Sequence, residues 1–210
     1  APTGYTVTGG GGFCPGGSGV NVGISSSDAG INYQLYLGST MIGLPKPGTS
    51  TSVSFGYLFG AGTYQVVATN ATTGCTSLLA SSVHVVVNPL PTVYTVTGGG
   101  GYCTGAAGAN VGLSGSTAGI SYQLYYGSTP TVVRNGTGSA LDFGLQTVAG
   151  SYSVMATNTT TSCTNSMSGS ATVSINTLPT VYAVTGGGSY CAGGTGVDVG
   201  LSSSDAGCQY

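Results

Sequence analysis

The sequence predicts an all-β chain of tandem sandwich modules. Three observations lead there: a repeat of about 88 residues, short alternating apolar runs divided by glycine-rich turns, and a composition almost without charge. The repeat is read directly. Pro2-Thr3-Gly4-Tyr5-Thr6-Val7-Thr8 returns as Pro91-Thr92-Val93-Tyr94-Thr95-Val96-Thr97 and again as Pro179-Thr180-Val181-Tyr182-Ala183-Val184-Thr185, at offsets of 89 (91 − 2) and 88 (179 − 91). Phe13-Cys14 returns as Tyr102-Cys103 and Tyr190-Cys191, Tyr33-Gln34-Leu35-Tyr36 as Tyr122-Gln123-Leu124-Tyr125, and Ala68-Thr69-Asn70 as Ala156-Thr157-Asn158. The units are residues 1–90, residues 91–178, and a truncated third over residues 179–210. The third stops at Tyr210, in the middle of an expected strand, so the polypeptide is expected to continue.

Within the first unit, strands are expected at Tyr5–Thr8, Val20–Ser25, Ile31–Leu37, Thr51–Phe55, Thr63–Thr69 and Leu78–Val87. The second and third of these alternate through Val20, Val22 and Ile24, then through Ile31, Tyr33 and Leu35, as half-buried strands do. Gly9–Gly12, Asp28-Ala29-Gly30, Pro45–Gly48 and Gly60-Ala61-Gly62 supply the turns. Nothing shows sustained helical periodicity. Six or seven short strands in about 88 residues point to an immunoglobulin-like β-sandwich. The short connections Asn88-Pro89-Leu90-Pro91 and Asn176-Thr177-Leu178-Pro179 are expected to hold the modules in a semi-rigid array.

Only 3% of the 210 residues are charged, against roughly 25% in ordinary soluble domains. Two basic residues cannot neutralise a phosphate backbone, so nucleic acid is not an expected partner. Polybasic membrane contact and direct membrane insertion are unsupported for the same composition, and no run is long enough to span a bilayer. No signal peptide precedes Ala1, which marks either a mature N-terminus or an internal segment. A neutral surface also lacks the mutual repulsion that keeps proteins apart, which favours association with copies of itself.

The cysteines stand at 14, 75, 103, 163, 191 and 208. The first four occupy equivalent places in the two complete units, so Cys14–Cys75 and Cys103–Cys163 are the expected disulfides. Each would close a loop of about 60 residues, worth about 4 kcal/mol in the chain-entropy picture. Disulfides imply an oxidising, extracellular compartment. Cys191 can pair with Cys208, or either can pair elsewhere.

These residues carry a resemblance. Phe13-Cys14-Pro15-Gly16-Gly17, Gly62-Thr63-Tyr64-Gln65-Val66, Gly74-Cys75-Thr76 and Val85-Val86-Val87-Asn88-Pro89-Leu90-Pro91 resemble the immunoglobulin-like or PKD-like repeats of secreted and cell-surface proteins from Bacteroidota. The resemblance implies stalks, adhesins, surface fibres or spacers of secreted enzymes. The chain departs from that pattern in having Tyr33 and Tyr36, not Trp, on its third strand.

Chemistry is sparse. His84 lies in an alternating strand, and Asp28, Asp142, Asp198 and Asp205 are scattered, so no acid–base pair, activated nucleophile or metal cluster is expected. The glycine runs lack the lysine and helix of a phosphate loop. No enzyme activity and no cofactor are expected. Recurrent tyrosines can stack on carbohydrate, but alternation sends some of them into the core, and nothing else supports a sugar ligand. Lys46 coincides with Arg134, and Asp28 with Asp205, which makes these four the candidate inter-module contacts. The expected function is a structural component of an extracellular filament. The alternatives are the stalk of a surface adhesin, or an enzyme spacer whose active domain lies outside the sequence.

Overall fold

The computed structural model describes residues 4–210; Pro2 and Thr3, which open the first copy of the repeat, lie outside the described residues. In the first unit, β1 (Val7–Gly9), β3 (Val20–Ile24) and β6 (Val53–Leu58) form one antiparallel sheet in the order β1-β3-β6. The other sheet runs β2-β9-β7-β4-β5, from β2 (Gly11–Phe13), β9 (Val83–Val87), β7 (Gly62–Asn70), β4 (Ile31–Leu37) and β5 (Thr40–Pro47), with β8 (Thr76–Leu78) paired on β7. The second unit repeats the plan. Its sheets are β10 (Val96–Gly98), β12 (Ala109–Leu113) and β15 (Leu141–Gln146), and then β11 (Gly100–Cys103), β18 (Ala171–Asn176), β16 (Gly150–Asn158), β13 (Ile120–Tyr126) and β14 (Thr129–Asn135), with β17 (Thr164–Ser166) on β16. Two sheets face to face in this strand order make an immunoglobulin-like sandwich, all-β as the sequence predicts. Of the third unit, β19 (Val184–Gly186) pairs with β20 (Val199–Leu201), in the register of β1 on β3.

Three segments depart from the sequence expectation. The strand expected over Leu78–Val87 is divided into β8 and β9, which pair with different stretches of β7. The glycine run is not a plain turn. Gly9, Gly10 and Gly11 hold φ of 88°, 78° and 111°, and there the chain leaves the first sheet and joins the second as β2, parallel to β9. Only glycine takes three such angles in succession at little cost. The Pro45–Gly48 segment, expected as a turn, closes strand β5. A proline is tolerated there because β5 is an edge strand, hydrogen-bonded to β4 alone.

Each sandwich has its own core. Val22, Ile24, Tyr33, Leu35, Val66, Ala68 and Val85 are almost fully buried in the first, with equivalents Val111, Leu113, Tyr122, Leu124, Val154, Ala156 and Val173 in the second. The first three residues of the repeated Tyr-Gln-Leu-Tyr motif share the same contacts in both modules. Tyr33 is buried while its Oη accepts a 2.9 Å hydrogen bond from Asp28 N, and Tyr122 does the same for Thr117 N at 2.9 Å. Gln34 Nε2 donates to the Leu35 and Ile42 carbonyls at 2.9 and 3.1 Å, satisfying oxygens exposed by the β4–β5 bulge. Gln123 repeats this with Leu124 and Val132 at 2.8 and 3.3 Å. Tyr64 and Tyr152 form tyrosine corners, donating to the carbonyls of Gly60 and Val148, both at 2.9 Å. Hydroxyls and amides thus do within the fold what charges do elsewhere.

Burial raises the Tyr64 and Tyr152 phenols above their ordinary pKa of 10.0. A raised folded-state pKa contributes stability that is whole below the unfolded value and is lost as pH climbs through the folded one. The thermal midpoint should therefore hold level from neutral pH to about pH 9, then fall above about pH 10. Absorbance titration of the 14 tyrosines should show a late fraction released only on unfolding. A single titration near pH 10 with the fold intact would contradict it.

Candidate functional site

The distinctive feature of the chain lies where the two modules meet. β2 runs parallel to β9 and ends beside the connection to the next module, so Cys14, the residue after β2, sits at the trailing end of the first sandwich. Asn88 N donates to the Phe13 carbonyl at 2.8 Å, fixing the start of the connection against this strand. The Asn88 side chain lies directly over Gly12, where a Cβ would come within 2.6 Å of Nδ2 and push the amide aside. At the leading end of the second sandwich, the turn between β16 and β17 carries Cys163. Asn158 shapes this turn: its Oδ1 accepts from Thr160 N and Thr161 N at 2.9 and 3.1 Å.

The two cysteines are bonded to each other. Cys14 and Cys163 form a disulfide with a Cα–Cα distance of 5.5 Å, across 149 residues of sequence. This corrects the intramodular pairings Cys14–Cys75 and Cys103–Cys163. The reason is geometric. Cys14 lies beyond the β9 end of the module and Cys75 beyond the far end of β7, a strand of nine residues. Such a strand spans roughly 25 Å, against the approximately 4.4–6.8 Å between Cα atoms that a disulfide allows. Cys75, Cys103 and Cys191 are exposed free thiols and Cys208 is a partly covered one.

Polar contacts complete the joint. Asn165 Nδ2, on β17, donates to the Pro91 carbonyl at 2.8 Å, and the Cys163 sulfur rests 3.9 Å from the Asn88 carbonyl oxygen. Cys163 is fully buried. The connection is therefore gripped from both sides, by Phe13 in one module and Asn165 in the other. Sequence inspection found the cysteines but not their pairing.

The four charged candidates lie elsewhere. Lys46 Nζ donates to the Ser54 carbonyl at 2.6 Å and stands 6.0 Å from the Phe55 ring centroid; Arg134 Nε donates to the Asp142 carbonyl at 3.1 Å. Each cation bridges the two edge strands of its own sandwich, closing the side between the sheets. Asp28 accepts from Tyr5 Oη at 2.6 Å. Asp205 accepts from Tyr182 Oη and Thr180 N, both at 2.7 Å, and these hydrogen bonds hold its carboxyl below the ordinary carboxylate value. Both acids fasten the segment just before the first strand of a unit to the turn that begins with the acid, the role Thr117 plays at 3.0 Å from Tyr94 Oη. His84 Nδ1 lies 3.2 Å from Thr63 Oγ1. A shallow groove of about 330 Å³ runs past Tyr125, Ser153, Met155 and Ser166, on the second module. Among the described residues, no helix is long and apolar enough to cross a membrane.

No family model matches the sequence, and no curated protein matches it. Solved structures do align. The fibronectin(III)-like modules of CbhA from Clostridium thermocellum align at 14% identity over 81% of this chain and 94% of theirs, with a TM-score of 0.40. Murine CEACAM1b aligns at 13% identity over 82% and 100%, with a TM-score of 0.41. Three N-terminal domains of the outer capsid protein Hoc of bacteriophage RB49 align at 11% identity over 97% and 71%, with a TM-score of 0.32. The fold itself is established by the strand order above.

Cutting the joint should free the modules without unfolding them. Cys14→Ser and Cys163→Ser should broaden the inter-module distance distribution in small-angle scattering to the same extent, while Cys75→Ser matches the unaltered chain. Matching effects of Cys14→Ser and Cys75→Ser would contradict the observed pairing.

Proposed function

We propose that the chain is a structural segment of an extracellular filament, in which immunoglobulin-like modules are stapled end to end and pack against copies of the chain. The observation that carries this reading is the Cys14–Cys163 bond. A disulfide inside a module stabilises that module; one between modules fixes their relative placement, which a load-bearing array needs and an isolated binding domain does not. A surface with 3% charged residues supports the packing part of the reading, because little electrostatic repulsion opposes lateral contact. The exposed apolar side chains Met41 and Leu44 on edge strand β5, and Tyr57 and Phe59 at and just beyond the end of β6, offer area for such contact. The disulfide and the resemblance to secreted surface repeats support an extracellular setting.

Electron microscopy of the native surface material tests the proposal. The expected result is a uniform filament whose axial repeat equals the module length or a small multiple of it. Thin isolated tethers with a distinct tip would overturn it, in favour of a stalk whose binding domain lies at that tip.

A further inference from the structure

The exposed thiols of Cys75 and Cys103 occupy the same two local structures that the bonded cysteines occupy. Around Cys14, Gly17 N donates to the Cys14 carbonyl at 2.9 Å; around Cys103, Ala106 N donates to the Cys103 carbonyl at 2.9 Å. Asn88 N meets Phe13 O at 2.8 Å, and Thr104 N meets Asn176 O at 2.9 Å, so each cysteine ends a strand locked to the start of a connection. Around Cys163, Asn158 N donates to its carbonyl at 2.8 Å and Thr161 Oγ1 accepts from its amide at 3.4 Å. Around Cys75 the same bonds are made by Asn70 N at 2.9 Å and Thr73 Oγ1 at 3.4 Å. The residue before each is held at positive φ, Gly74 at 71° and Ser162 at 60°. Holding a serine there goes against its preference, and the turn keeps its shape regardless.

We propose that Cys75 and Cys103 are the two open halves of the same staple. Cys103 takes a cysteine of the β16–β17 turn type from the module that follows it, and Cys75 takes a cysteine of the β2-end type from the module that precedes it. The partner is in each case another module of this repeat, supplied by the same polypeptide or by a second copy of the chain. Translating the Cys14–Cys163 bond by one repeat in either direction produces both linkages, so every junction carries one disulfide and every complete module contributes two cysteines to two different junctions. This linkage stands on the observed bond and is independent of filament formation.

The chemistry is ordinary thiol–disulfide exchange, with a small-molecule disulfide such as oxidised glutathione as oxidant. The Cys103 thiolate attacks one glutathione sulfur and expels the other as a thiolate. The incoming thiolate then attacks the protein-side sulfur and expels the second. Two protons and two electrons pass from the cysteine pair to glutathione, which leaves as two thiols.

The test uses two proteins in an oxidised/reduced glutathione buffer. One is the 210-residue chain. The other is that chain lengthened by a second copy of residues 123–210 joined after Tyr210, which completes the third module in register, because Tyr210 is the equivalent of Tyr122; the copy carries the exposed substitution Thr164→Ser, so that its Cys163 peptide differs in mass from the original. Chymotryptic peptide mapping without reduction should find Cys103 joined to the copied Cys163 in the longer chain, with Cys14–Cys163 retained, and iodoacetamide labelling of Cys103 should drop from nearly complete to nearly none. Cys103→Ser should leave the copied Cys163 open to labelling, whereas Cys14→Ser should not. In the 210-residue chain, a Cys103–Cys75 peptide between molecules identifies a second copy as a sufficient partner. Its absence there, with the bond present in the longer chain, identifies the same polypeptide as the source. A Cys103 thiol still open to labelling in the longer chain, or a Cys103–Cys163 peptide in either, would overturn the proposal.

Discussion

The joint between the modules depends on one covalent constraint, the bond from the trailing end of the first sandwich to the leading end of the second. Closing so long a loop is worth about 5 kcal/mol in the chain-entropy picture, but the effect is divided between two cores that each fold around their own apolar residues. Its principal consequence is therefore orientation. With Cys14 and Cys163 bonded, the Asn165–Pro91 hydrogen bond and the Asn88–Phe13 hydrogen bond act at high effective concentration and hold the connection in one path.

A second theme is how a fold with almost no charge satisfies its polar groups. No buried side-chain nitrogen or oxygen lacks a hydrogen-bond partner among the described residues. Tyrosine hydroxyls, glutamine amides and asparagine carbonyls carry that load: Tyr33 on Asp28 N, Gln34 across the β4–β5 bulge, Asn70 on the turn before β8. The two cations serve the same purpose by donating to backbone carbonyls of a facing strand. Few charges then remain on the surface to oppose contact between molecules.

Much of this was legible in the sequence. Alternation located β3 and β4, because their inward residues are Val, Ile, Tyr and Leu at period two. β2 escaped notice because a strand made of Gly11, Gly12 and Phe13 carries no periodic signal; its place is set by the backbone angles of the preceding glycines. β5 escaped because Pro45 reads as a turn unless the strand is known to be an edge. The cysteine pairing was illegible for a deeper reason. Equivalent positions in a repeat show which residues share an environment, but not whether a bond runs within a repeat or from one repeat to the next. That choice needs the ends of the module to be placed in space, and the coincidence of Lys46 with Arg134 likewise marks a shared environment, here a carbonyl of the facing edge strand.

The most direct check of the whole account is the disulfide connectivity of the purified, unreduced 210-residue chain, read by mass spectrometry of cross-linked peptides. The account predicts a peptide pair joining Cys14 to Cys163. A pair joining Cys14 to Cys75, with another joining Cys103 to Cys163, would leave the modules independently stapled and contradict the joint on which the rest depends.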